Sequence, residues 1–131
     1  MQRGLIEQLH PAKFKAAVAL YPRCTEFSGD MVGPTLVLIG EKDDWTPAQE
    51  CRDVIAGRSG PGLTRPLVDR SMVRLVVYPG AYHSFDLPDL RFVDGFRAFG
   101  HWLAYDDAAT RDAFKQVREF FHQTIPPASP R

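Results

Sequence analysis

Three apolar segments of strand length, each followed by a turn-forming residue, constrain the fold of this chain more than any other feature. Their residues are mostly valine, leucine, isoleucine and alanine, with little alternation between polar and apolar side chains. Such runs are typical of strands that are buried on both faces of a parallel sheet. We therefore predict strands at Ala16–Tyr21, Thr35–Ile39 and Val73–Tyr78.

Two further segments carry helix signals. Thr46, Pro47 and Gln49 form a capping pattern, because threonine can accept hydrogen bonds from free amides and proline suits a first turn. This pattern predicts a helix from about Pro47 to Ala56. A second helix is predicted over Ala108–Gln123. Its apolar face is expected to contain Phe114, Val117 and Phe121.

The order of these elements favours an α/β fold. Strands separated by helix-length connections pair in parallel, and the helices cover the faces of the sheet. We predict about three parallel strands with flanking helices. A typical sheet has more strands, about five or six. We assign residues 1–125 to this partial domain and the proline-rich residues 126–131 to a disordered tail.

Charge and hydropathy argue against two kinds of partner. The chain has 131 residues, with 16 lysines and arginines against 16 aspartates and glutamates, so its charge does not favour nucleic acid. No apolar run approaches the roughly 18 residues that span a bilayer. We therefore expect neither a nucleic acid nor a membrane partner.

Cys24 and Cys51 are the only cysteines of the chain. Two cysteines do not make a disulfide framework, so two buried free thiols are the first interpretation. The alternative is a single disulfide that joins the loop after the first strand to the helix after the second. Free thiols suit the cytoplasm, the default location, whereas a disulfide would suit an oxidising compartment such as the periplasm.

Polar residues at the ends of two predicted strands are the candidates for chemistry. Asp43 follows the second strand and His83 follows the third. In an open α/β sheet the working residues lie on loops beyond the carboxyl ends of the strands. A carboxylate there can orient a histidine, which then moves a proton between a nucleophile and a leaving group. We predict that Asp43 and His83 form such a pair, with Asp44 as the rival acid.

Two short motifs surround these residues. The first is G-x-x-D-x-x-x-P at Gly40, Asp43 and Pro47, and the second is the segment Ala81–Phe85 around His83. In both motifs the sequence resembles the dienelactone hydrolase family of α/β-hydrolases. The resemblance implies a partial α/β-hydrolase fold, hydrolysis of an ester or lactone bond in a small molecule, and a cysteine or serine nucleophile. Two further segments similar to the family are Ala19–Cys24 and Trp102–Asp106.

The chain departs from this family in the nucleophile. In the α/β-hydrolase fold the nucleophile precedes the acid and the histidine. No G-x-S-x-G or G-x-C-x-G stands before Asp43, and Cys24, which does, lacks flanking glycines. We therefore predict a hydrolase segment whose nucleophile is missing from this chain. The alternative is a non-catalytic remnant or a partner subunit that acts as a binding module.

Several side chains near the same strand ends are candidates for a substrate pocket. The acidic residues and histidines of these loops lack metal-ligand spacing, so we expect no metal ion and no cofactor. The strand at residues 16–21 would lose its neighbour on the nucleophile side, which predicts self-association through this open strand. The predicted pocket residues are Tyr21, Arg23, Trp45, Tyr82 and Phe85.

Overall fold

The computed structural model describes residues 14–26, 31, 33–58 and 70–130. The three predicted strands and both predicted helices are present, each within one residue of its predicted ends. Short 3₁₀ turns lie at Cys24–Glu26, Arg70–Met72 and Pro88–Phe92. In chain order the strands and α-helices are β1 (Ala17–Leu20), β2 (Thr35–Gly40), α1 (Ala48–Ile55), β3 (Val73–Tyr78), β4 (Phe96–Ala98), β5 (His101–Leu103) and α2 (Asp107–Thr124).

β1, β2 and β3 form a parallel sheet with β2 in the middle. Leu38 of β2 lies beside Leu20 of β1 and Val76 of β3. Every residue of β2 is buried, as the unbroken apolar run predicts for a strand covered on both faces. This parallel sheet confirms the partial α/β fold that the sequence predicted.

The two faces of β2 belong to two apolar clusters. Val37 and Ile39 pack on the side of α1, whereas Leu36 and Leu38 pack on the side of α2. Alternate residues of a strand point to opposite faces, so β2 contributes equally to both clusters. The sheet therefore lies between the two helices.

The buried face of α2 differs from the prediction. Phe114 is 66% exposed and Phe121 is 36% exposed, while Val117 packs against the core. The helix approaches the sheet through a face that carries two alanines and one phenylalanine. Phe114 and Phe121 do not belong to this face, although their spacing is that of an apolar stripe. The residues buried against the sheet are Ala109, Ala113 and Phe120.

α1 begins without the capping bond predicted for it. Pro47 occupies the N-cap position, and no side chain caps the first turn. The Thr46 hydroxyl instead lies 2.9 Å from the backbone oxygen of Tyr21. The helix was predicted correctly, but its cap was not, because a partner distant in sequence takes the threonine hydroxyl.

Cys24 and Cys51 form a disulfide, so the interpretation as two free thiols is wrong. Their Cα atoms are 4.9 Å apart because the 3₁₀ turn after β1 packs against α1. The bond joins the two elements named in the alternative interpretation. Disulfides persist in oxidising compartments. In this state Cys24 has no thiol with which to act as a nucleophile.

The sequence did not predict the antiparallel hairpin of β4 and β5. Its turn contains Phe99 and Gly100, whose φ angles are +50° and +83°. Hairpin turns of this kind usually carry Asn or Asp before Gly, so phenylalanine hid the signal. A bridge between Leu103 and His83 joins the hairpin to the loop after β3.

Helix α2 ends at Thr124, one residue before the predicted domain boundary. The boundary at residue 125 and the disordered tail over residues 126–131 stay predictions. Within the described ranges, neither helix combines the length and apolar character needed to cross a bilayer.

Candidate active site

The loops after β2 and β3 lie side by side because these strands are parallel neighbours. Gly40, the last residue of β2, permits their close approach. A Cβ atom at this position would overlap the carbonyl oxygen of Ala81 and lie 2.7 Å from its carbonyl carbon. The Lys42 amide donates to the same Ala81 oxygen at 2.9 Å. The absence of a side chain at Gly40 thus brings the Asp43 loop against the His83 loop.

Asp43 and His83 are joined by a direct hydrogen bond. Nδ1 of His83 lies 2.8 Å from Oδ2 of Asp43. The Asp43 side chain is fully buried, whereas 14% of the His83 side chain is exposed. A buried carboxylate behind an accessible imidazole is the arrangement in which a carboxylate orients a general base. With Nδ1 engaged by Asp43, Nε2 is the nitrogen left for proton exchange.

The Asp43 carboxylate accepts four hydrogen bonds. Oδ1 accepts from the backbone amides of Trp45 at 2.9 Å and Thr46 at 2.8 Å. Oδ2 accepts from the Thr46 hydroxyl at 3.0 Å and from His83. Burial by itself would raise the pKa of Asp43, but the hydrogen bonds from His83 and Thr46 outweigh burial and lower this pKa. The carboxylate is therefore ionised at neutral pH and can stabilise a protonated imidazole.

Thr46 is one residue of this site whose role the sequence did not predict. Its side chain is buried, and its hydroxyl oxygen lies 3.2 Å from Nδ1 of His83. The available signal was a hydroxyl residue three positions after Asp43. The same position suits a helix cap, so the sequence did not distinguish the two roles.

Two aromatic rings pack against the His83 imidazole. The ring centroid of Tyr21 is 4.4 Å from that of His83, and the centroid of Trp45 is 5.0 Å from it. Burial, and then the neighbouring Asp86 carboxylate, raise the pKa of Tyr21, so its phenol stays neutral beside His83. These contacts restrict the rotation of the imidazole that Asp43 binds.

The backbone on both sides of this packing is strained. Tyr21, which follows β1, has a φ of +39°, and Ser84, next to His83, has a φ of +61°. Residues with side chains rarely adopt this region, and such strain is concentrated at functional sites. The surrounding hydrogen bonds therefore hold both loops in conformations that they would not adopt alone.

The other predicted pocket residues lie in three different surroundings. Phe85 is fully buried and belongs to the core beneath the site. Tyr82 packs edge-on against Trp102 of the hairpin, with ring centroids 6.4 Å apart. The Arg23 side chain is 51% exposed and lies 3.9 Å from a carboxylate oxygen of Glu26. Of the five predicted pocket residues, Tyr21 and Trp45 are the ones whose rings contact His83.

Asp44, the rival acid, contacts the hairpin. Its carboxylate accepts from the Trp102 amide at 3.1 Å and lies 3.7 Å from Nδ1 of His101. The His101 ring stacks on Trp45 at 4.9 Å. The sequence reasoning missed this second imidazole because it did not predict the hairpin. Neither here nor elsewhere in the described residues do three or more His, Cys, Asp or Glu side chains form a group that could hold a metal ion.

The parallel sheet carries the acidic loop and the histidine loop at the ends of two neighbouring strands. This arrangement is that of part of an α/β-hydrolase fold. The profile of the dienelactone hydrolase family matches residues 5–125. The chain therefore belongs to the dienelactone hydrolase family.

A solved structure with a similar fold is the crystal structure of a candidate dienelactone hydrolase from Klebsiella pneumoniae subsp. pneumoniae. The two proteins share 22% sequence identity with a TM-score of 0.59, and the match covers 83% of this chain and 42% of that chain. The chain thus spans less than half the length of that structure. A comparison with curated proteins gave no match.

Proposed function

We propose that this chain is the carboxyl-terminal part of a hydrolase of ester or lactone bonds, in which Asp43 orients His83 as the general base. The observation that carries this proposal is the 2.8 Å hydrogen bond between His83 Nδ1 and Asp43 Oδ2. Membership of the dienelactone hydrolase family supports the reaction class. The proposed nucleophile is a cysteine or serine that lies outside these 131 residues.

The proposed reaction has two halves, and in each of them His83 first takes a proton and then gives it back. First, Nε2 of His83 takes the proton of the nucleophile, which attacks the carbonyl carbon. As the tetrahedral intermediate collapses, His83 gives this proton to the leaving oxygen, and an acyl enzyme forms. Water then attacks the acyl group while His83 takes its proton, and His83 returns this proton to the sulfur or oxygen of the nucleophile as the acid leaves. Asp43 keeps Nδ1 protonated and stabilises the imidazolium in both halves.

The proposed substrate is a small ester or lactone bound against aromatic rings. A carbonyl group brought to Nε2 of His83 would lie beside Tyr21 and Trp45, whose rings offer apolar contact. Phe85 supports the Tyr21 ring edge-on, with centroids 5.9 Å apart. The exposed guanidinium of Arg23 is proposed to pair with a substrate carboxylate, because its contact with a surface glutamate is weak.

The isolated chain is expected to hydrolyse p-nitrophenyl acetate little above the background rate. Without a nucleophile, only weak binding and electrostatic effects remain. Extending the chain with an upstream segment that supplies G-x-C-x-G or G-x-S-x-G is expected to produce a burst of p-nitrophenolate followed by turnover. The DNA upstream of the Met1 codon is the first place to read for such a segment, and stopped-flow absorbance measures both phases.

Three outcomes would count against this proposal. Turnover by the isolated chain would place a nucleophile within its 131 residues. An extended chain that keeps its rate after His83→Gln would remove His83 from the mechanism. A stop codon upstream of Met1, together with a natural product of matching intact mass, would favour the non-catalytic partner subunit instead.

We also propose that the isolated chain self-associates through β1. Among the described residues, β1 is an edge strand that is hydrogen-bonded to β2 on one side, and an apolar groove of about 250 Å³ lies between β1 and α2. Leu20, Val18 and Phe114 line this groove, and Leu20 and Phe114 are exposed. An open apolar strand edge is a template for pairing with another chain. In a complete hydrolase domain, a further strand of the same sheet is expected to cover it.

Light scattering across a concentration series measures this association. Leu20→Lys and Phe114→Lys are each expected to shift the chain towards the monomer, because a charge in the groove opposes its burial. Phe92→Lys is the matched control, since Phe92 is 89% exposed and does not line the groove. A monodisperse wild-type monomer at every concentration would contradict the proposal.

A further inference from the structure

We propose that Thr46 is a positioning residue for the Asp43–His83 pair. The Thr46 hydroxyl fixes the carboxylate oxygen that His83 binds and links this oxygen to the end of β1. This inference rests on the proposed function, since it concerns the same acid and base. The Thr46 hydroxyl oxygen lies 2.9 Å from the Tyr21 carbonyl oxygen, 3.0 Å from Asp43 Oδ2 and 3.2 Å from His83 Nδ1. One buried hydroxyl thus contacts the segments that follow three neighbouring strands.

The acceptor sites of Asp43 are filled in a way that orients the carboxylate. A carboxylate offers about four lone-pair sites, two on each oxygen. Two amides occupy Oδ1, and the Thr46 hydroxyl occupies one site on Oδ2. The remaining site on Oδ2 is the one that His83 uses. The Thr46 hydroxyl therefore leaves the carboxylate one orientation, with one acceptor site directed at the imidazole.

The tautomer of His83 also depends on Thr46. A hydroxyl carries one proton, for which the Asp43 carboxylate, the Tyr21 carbonyl and a bare Nδ1 of His83 would compete, and the charged carboxylate is the strongest of these acceptors. With this proton directed at Asp43, the hydroxyl oxygen presents a lone pair to Nδ1 of His83. Nδ1 then meets two acceptor oxygens, and a bare nitrogen there would be repelled by both. Thr46 therefore favours the tautomer with the proton on Nδ1, which leaves Nε2 as the base.

The backbone and the side chain of Thr46 act on different oxygens of the carboxylate. Its amide donates to Oδ1 at 2.8 Å, and its hydroxyl contacts Oδ2. Thr46→Val keeps the amide and nearly the same side-chain shape but removes the hydroxyl. Thr46→Ser keeps the hydroxyl and removes a methyl group. This pair of variants separates positioning by the hydroxyl from packing by the methyl group.

The experiment uses the 131-residue chain with 15N-labelled histidine, at a pH where the ring of His83 is neutral. The 15N chemical shifts report the ratio of the Nδ1–H to the Nε2–H form, and His83→Gln assigns the signals. For Thr46→Val we expect this ratio to fall about fivefold, the effect of losing one net hydrogen bond. For Thr46→Ser we expect no change. Urea unfolding of each variant checks that the fold is retained.

Asp43→Asn, measured in parallel, separates this inference from the proposed function. If Asp43→Asn changes the ratio and Thr46→Val does not, the inference about Thr46 is wrong and the acid–base pair stands. If neither variant changes it, the proposed pair itself fails. Should Thr46→Val not fold, the wild-type chain still decides: we expect slow solvent exchange of the Thr46 hydroxyl and a cross-peak to the Nδ1 proton of His83. A rapidly exchanging hydroxyl without that cross-peak would overturn the inference.

Discussion

Replacing Gly40 with alanine is expected to force the Asp43 loop and the His83 loop apart. The added Cβ would overlap the Ala81 carbonyl group and lie 3.0 Å from the Tyr82 backbone oxygen. These neighbours are backbone atoms, which cannot rotate away as a flexible side chain would. We expect the free energy of unfolding to fall by about 3 kcal/mol, the upper part of the usual range for overpacking. Urea unfolding measures this loss, and the 15N signals of His83 report the broken contact with Asp43.

Gly80→Ala is the matched control for this substitution. A Cβ at Gly80 would have no heavy atom within 4 Å, but the φ of +72° there favours glycine. We therefore expect a cost of about 1 to 2 kcal/mol from backbone strain alone, with the His83 signals unchanged. If Gly40→Ala proved as stable as the wild type, the close approach of the two loops would not depend on glycine.

In the extended, active hydrolase, Asp43→Asn is expected to lower kcat about 10⁴-fold, as the corresponding change does in hydrolases with this arrangement. Asparagine cannot stabilise the imidazolium as a carboxylate does, and its amide permits the wrong tautomer of His83. An asparagine oxygen can still accept from the amides of Trp45 and Thr46 in the same loop, so the polar replacement is expected to keep the fold. Steady-state hydrolysis of an activated ester measures kcat, and thermal unfolding checks the structure.

Asp44→Asn is the control because it makes the same chemical change at the next residue. Asp44 accepts from the Trp102 amide and is half exposed, and no contact joins it to His83. We expect a loss of kcat of less than about tenfold, since this carboxylate holds the hairpin rather than the base. A large loss at Asp44 with a small loss at Asp43 would reverse the assignment of the acid.

The sheet and the placement of the acid and histidine loops could be predicted from the sequence. The four residues before Gly40 are all apolar. Such a run is buried completely when both faces of the strand are covered. Parallel neighbours bring their carboxyl ends to the same edge of a sheet, so Asp43 and His83 had to lie near each other once both strands paired.

The roles of Thr46 and of the α2 phenylalanines could not be predicted in this way. For Thr46, a local cap and a distant hydrogen-bond partner compete for one hydroxyl, and the sequence does not say which partner will be within reach. For α2, small side chains decide how closely a helix packs, whereas the larger residues dominate any count of apolar positions. The disulfide depended in the same way on α1 packing against the turn after β1.

The sequence by itself determined where the strands and helices lie and which loops carry an acid and a histidine, because these features depend on local periodicity and turn-forming residues. Only the tertiary structure decided the partner of each polar group. It placed Oδ2 of Asp43 rather than a carboxylate oxygen of Asp44 against His83, and it placed the Thr46 hydroxyl between them. Hydrogen bonds between residues far apart in the chain depend on distances of a few tenths of an ångström. Those distances are set by the packing of the whole sheet and not by any one segment.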